Sequence, residues 1–73
     1  MMNSIRINDE FIKLGQALKL ANLVSSGVDA KFVITDGLVK VNGEVDVRRG
    51  RKLYPGDTFT YNGKTVTVEG KAE

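Results

Sequence analysis

The chain has 73 residues, 11 of them Lys or Arg and 9 Asp or Glu, with no Cys and no His. That length supports one domain over residues 1–73 with a modest core. The missing residue types exclude disulfides, thiolate nucleophiles, Cys-bearing zinc sites and the usual general base near neutral pH. No catalytic residue, cofactor or metal site is therefore expected. The lack of Cys fits a reducing cytoplasm, and neither a signal-like run at the N-terminus nor a membrane-length apolar stretch occurs in the sequence. A cytoplasmic, monomeric protein is expected. Charge is concentrated in the middle, where residues 11–52 carry eight basic side chains against four acidic ones.

Ser4 to Ile7 reads as a short strand with Ile5 and Ile7 on one face. Asn8 or Asp9 could cap a following helix, and Phe11, Leu14, Ala17, Leu18, Ala21 and Val24 share one arc at 100° per residue. This predicts an amphipathic helix of about three turns from Phe11. Gly15 lies inside it, which implies an irregular first turn or a close approach to its backbone. Ser25-Ser26-Gly27 breaks the pattern, a second helix is predicted over Val28 to Thr35, and Asp36-Gly37 ends it. The period then changes to two. Leu38 to Val41 and Glu44 to Val47 flank Asn42-Gly43, while Thr58 to Tyr61 and Thr65 to Val68 flank Asn62-Gly63, so each Asn-Gly pair predicts a tight hairpin. Pro55-Gly56-Asp57 supplies the turn between the hairpins, and residues 70–73 form a tail. The predicted fold class is α+β: two short packed helices against a small antiparallel sheet.

Few segments suggest chemistry. Gly63-Lys64-Thr65 resembles the end of a phosphate-binding loop, but Thr58 stands where its earlier glycine belongs and the segment joins two strands. Ser25 and Ser26 read as helix-capping residues. The carboxylates lack calcium-loop spacing. Arg48-Arg49-Gly50-Arg51-Lys52 is the exception, because four cations in five residues repel one another unless solvated or matched by a polyanion. Gly50 would permit an unusual turn that lets the flanking guanidiniums diverge. Phe11, Phe32 and Phe59 sit at positions that suit a core and only Tyr54 adjoins the cluster, so recognition of backbone and shape is expected over base stacking.

Together, Lys13 to Leu20, Ser25-Ser26-Gly27 with Ala30-Lys31, Gly37 to Gly43, Arg48 to Leu53, and Gly56-Asp57 resemble a known family. It is the RNA-binding domain named after ribosomal small-subunit protein S-four, the alpha-L motif, particularly its short stand-alone bacterial members of the YaaA and YbcJ type. The resemblance covers a core of residues 12–57, leaving a C-terminal hairpin over 58–69. It implies a module for structured RNA, expected to be ribosomal, acting in ribosome assembly or function. Carried over, it marks Lys13 on the first helix, Ser25 and Ser26 at the start of the second, Lys31 along that helix, and the segment Arg48, Arg49, Arg51 and Lys52. Many relatives read Arg-Leu-Asp at 13–15 and Ser-Arg-Ser at 25–27, so the resemblance shifts much of the cationic contact onto the 48–52 segment. Larger relatives join this domain to catalytic domains, for which these 73 residues leave no room. The alternative is a protein-interaction module that uses the basic segment or a sheet edge.

Overall fold

In the computed structural model, which describes residues 4–70, nine short elements follow one another. They are β1 (Ser4–Arg6), β2 (Ile12–Lys13), α1 (Leu14–Leu20), α2 (Gly27–Thr35), β3 (Val39–Val41), β4 (Glu44–Val45), β5 (Lys52–Leu53), β6 (Thr58–Tyr61) and β7 (Lys64–Glu69). Five strands form one sheet in the order β1-β7-β6-β3-β4, and β2 pairs with β5 in a separate two-stranded ladder. Most pairings are antiparallel, as the sequence predicts, but β1 runs parallel to β7, so the sheet is mixed. Both helices, the first hairpin and β6 lie between β1 and β7, ample chain for the crossover that a parallel pair needs. The expected tail beyond Gly70, and residues 1–3, lie outside the described residues.

Both Asn-Gly turns form. Asn42 and Gly43 have φ of 52° and 87°, Asn62 and Gly63 of 55° and 77°, the left-handed pair that matches the twist of adjoining strands. Asn42 also ties distant segments together. Its amide donates to Asp57 Oδ1 at 3.3 Å, while its carbonyl oxygen accepts from the Thr58 amide at 3.0 Å.

Leu14, Ala17, Leu18 and Ala21 from the first helical segment meet Ala30 and Ile34 of α2 over Val39, Val41, Phe59, Val66 and Val68 of the sheet. The helices thus cover one sheet face. The other face is hydroxyl-rich, with Thr60 and Thr65 Oγ1 atoms 2.9 Å apart across β6 and β7.

Helix α1 begins three residues later than the periodicity predicts, and Phe11 and Val24 fall outside it. Its cap comes from distant backbone instead of Asn8 or Asp9. Leu14 N–H donates to the Arg51 carbonyl at 2.8 Å and Gly15 N–H to the Arg49 carbonyl at 3.2 Å, satisfying two amides that a helix start leaves open. The far end closes early on Asn22, whose φ of 63° allows Asn22 N–H to reach Lys19 O and Leu23 N–H to reach Leu18 O. Helix α2 starts at Gly27, with Ser26 Oγ accepting from Asp29 N–H at 3.2 Å.

The outer hairpin departs further from its pattern. Alternation over Glu44 to Val47 would bury the valines, yet Val45 and Val47 are exposed and Asp46 is buried. Val45 pairs with Lys40, which points away from the helices, and after this pair the chain leaves the ladder.

Candidate RNA interface

The 48–52 segment enters the fold through Asp46. Asp46 Oδ1 accepts from Arg48 N at 2.9 Å and Arg48 Nε at 3.0 Å; Oδ2 accepts from Arg48 Nη2 at 2.8 Å and Arg51 Nη1 at 2.6 Å. The hydrogen bonds from Arg48 hold the carboxyl well below the usual carboxylate range against the opposing effect of burial, and the bond from Arg51 reinforces them. Two of the four clustered cations are thereby paired. Sequence reasoning missed Asp46, since an acidic residue in an alternating strand reads as an outward-facing one.

The turn is ordinary. Arg51 N–H donates to Arg48 O at 3.1 Å, Gly50 does not adopt positive φ, and nothing lies within 4 Å of where its Cβ would be. Glycine freedom does not spread the guanidiniums: those of Arg48 and Arg51 converge on Asp46, while the Arg49 side chain lies against α1. Gly15 is the glycine that geometry requires: a Cβ there would lie 2.9 Å from Arg49 Cγ. The close approach implied by a glycine inside α1 is therefore the Arg49 side chain, which crosses the helix backbone.

That crossing builds a cleft. A cavity of about 660 Å³ opens between the helices and the 48–51 turn, and its wall carries Lys13, Gln16 and Lys19 from β2 and α1, Ser26 and Lys31 from the start and middle of α2, and Arg49 with Gly50 from the turn. None of its lining residues is acidic.

The expected site residues are thus divided. Lys13, Ser26, Lys31 and Arg49 share the cleft. Ser25 faces a neighbouring groove and donates to Asp29 Oδ2 at 2.8 Å. Arg48 and Arg51 line a separate depression with Asp46. Lys52 Nζ lies 4.8 Å from the centroid of the Phe11 ring, which in turn packs on Tyr54 at 5.8 Å. Instead of gathering on the 48–52 segment, the cleft cations are helix-borne or immediately flank a helix in three cases of four. Lys19 was not among the expected site residues. The signal was present, because Lys13, Gln16 and Lys19 recur every third residue on the polar side of the predicted helix.

The family model described as "S4 domain" matches residues 5–69. The chain belongs to the S4 domain family. It is 51% identical over 63 residues to the probable ribosome maturation protein RlbA of Bacillus subtilis, covering 86% of this chain and 89% of that protein. With the putative RNA-binding protein YbcJ of Escherichia coli it shares 39% identity over 57 residues, 78% of this chain and 81% of the relative. The solution structure of Escherichia coli YbcJ, described as revealing an alpha-L motif involved in RNA binding, superposes with a TM-score of 0.73 at 33% identity, over 94% of this chain and 89% of that one. Asn42 and Asp57, which lie in two of the segments that carry the resemblance, are the hydrogen-bonded pair described above.

Gly15→Ala tests the crossing. An alanine in the first turn of the helix gains at most about 1 kcal/mol over glycine, while its Cβ forces Arg49 aside. The expected result is a thermal midpoint near that of the wild type together with shifted Arg49 side-chain resonances in NMR spectra. Unshifted Arg49 resonances would count against the packing described.

Proposed function

We propose that this S4 domain binds structured RNA in the cytoplasm, as a monomeric, non-catalytic module acting in ribosome maturation. The observation that carries the reading is the cleft: four cations from three segments, with no carboxylate among its lining residues. Lys13, Lys19, Lys31 and Arg49 contact phosphates, and Gln16 and Ser26 donate hydrogen bonds to phosphate or ribose oxygens. Arg48 and Arg51 act indirectly, by anchoring the turn that holds Arg49. The names of the relatives, a ribosome maturation protein and an RNA-binding protein, point to ribosomal RNA as the partner. The cleft's polar side chains are Lys, Arg, Gln and Ser, which include no carboxylate or imidazole to serve as a general base.

Four phosphate contacts predict a log K against log salt slope of about −3, at about −0.7 to −0.9 per contact. Titrating fluorescent rRNA hairpins across a salt series measures it. Arg49→Ala is expected to flatten the slope by nearly one unit while leaving the unfolding midpoint unchanged. Binding to rRNA that ignores salt would refute the proposal.

A further inference from the structure

The expectation that all three Phe residues lie in the core holds only for Phe59. Phe59 is fully buried and Phe11 half-buried, but Phe32 is 60% exposed and its neighbour one helical turn earlier, Val28, is 62% exposed. Burying a ring this size would be favourable, so its position on the outer side of α2 calls for an occupant. Phe32 lines a groove of about 470 Å³ together with Leu23, Ser25, Asp29, Val33 and Tyr61.

The surroundings select among occupants. Around α2, the cationic cleft takes Gly27 and Lys31, Val28 stands on its rim, and Phe32 leads from that rim into the groove. One ligand can therefore span both depressions. Lys31 holds its backbone on one side of the ridge, and the adjacent Phe32 meets whatever crosses to the other. The groove itself presents two aromatic side chains and the Asp29 carboxylate, with no cation among its lining residues. A phosphate would be repelled there. A planar, uncharged group carrying N–H donors fits: its face stacks on Phe32, and its edge donates to Asp29, whose Oδ2 is oriented by the Ser25 hydroxyl.

We propose that this groove is a nucleobase pocket that receives one unpaired nucleotide of the RNA whose backbone lies in the cleft. This rests on the RNA reading above and deepens it, since the domain then distinguishes an interrupted helix from a continuous one. Stacking on an aromatic side chain contributes about 1–3 kcal/mol per base, or about a 5- to 150-fold effect on affinity. The preferred target is a duplex with a single bulged base bearing an exocyclic amino group.

The experiment compares two RNA hairpins of equal length, one fully paired and one with a single bulged adenine, bound to the wild type, Phe32→Ala and Phe32→Trp. The expected results are about tenfold tighter binding of the bulged hairpin by the wild type, loss of that preference in Phe32→Ala with an unchanged salt slope, and retention in Phe32→Trp. Fluorescence of 2-aminopurine at the bulge should be quenched by the wild type and not by Phe32→Ala. Equal wild-type affinities for the two hairpins would overturn the pocket while leaving the RNA reading intact. Equal weakening of both by Phe32→Ala would also overturn it, assigning Phe32 to general contact. If a ribosomal protein, and not the bulged hairpin, responds to Phe32→Ala, the groove is a protein-docking site and the proposal falls. Binding of neither hairpin by the wild type would overturn the RNA reading and the pocket with it.

Discussion

Reversing two charges in the cleft, Lys31→Glu with Arg49→Glu, is expected to lower affinity for rRNA hairpins by about 100-fold or more at low salt. Each replaced cation removes a charge-assisted contact worth about 1.5–3 kcal/mol, and each new carboxylate adds repulsion against phosphate. Neither Lys31 nor Arg49 forms an ion pair among the described residues, and both are exposed. The doubly substituted protein should therefore keep its circular dichroism spectrum and unfolding midpoint. The matching control is Lys40→Glu with Lys64→Glu, which makes the same charge change at exposed residues away from the cleft. If the control loses affinity equally, the cleft is not the site and only net charge matters.

The second large effect concerns Asp46. Asp46→Asn keeps the volume but removes the negative charge that three guanidinium hydrogen bonds converge upon. Loss of these bonds around a carboxylate that is only 7% exposed should cost about 2 kcal/mol. In a domain of this size that corresponds to a fall of about 10 °C in Tm. RNA affinity should fall as well, because Arg49 sits between the two arginines released. The pH dependence has a definite sign. The folded carboxyl titrates well below an ordinary aspartate, so over the interval between them the unfolded chain binds the proton more readily. The stabilisation is complete above about pH 4, the ordinary aspartate value, and is lost as pH falls towards the depressed folded value. Urea unfolding of wild type and Asp46→Asn should thus differ most at neutral pH and converge on acidification. A gap that widens below pH 4 would contradict the assigned role.

What the sequence revealed, and what it concealed, follows how local each signal is. The two hairpins were legible because an Asn-Gly pair sets turn geometry within four residues, and Ser26 was legible as a cap because its acceptor reaches an amide three residues on. The start of α1 was not, since its cap comes from carbonyls at positions 49 and 51. The same distance hid the β1–β7 pairing, where Ile5 lies opposite Val68. Periodicity misled where a surface departs from the usual partition. Val28 and Phe32 would lie inward on hydrophobicity alone, yet Ala30 and Ile34 are the buried residues of α2. Asp46 is the inverse case, a polar residue placed inward by the pairing of Val45 with Lys40. For the cleft, the residue types were readable and their grouping was not. Charge density directed attention to 48–52, whereas the fold sends Arg48 and Arg51 to Asp46 and Lys52 to Phe11.

The backbone bonds from Leu14 and Gly15 to the carbonyls of Arg51 and Arg49 make hydrogen exchange a direct gauge of the basic turn. Those amides exchange with solvent only when the turn lifts from the helix or the domain unfolds, and the interior amides of α1 separate the two cases. If the turn opens by itself, positions 14 and 15 exchange faster than positions 18 and 19. If it moves only with the whole domain, all four exchange together. Two helical amides thereby report how often the Arg49 side of the cleft comes apart, without any label on the side chains that line it.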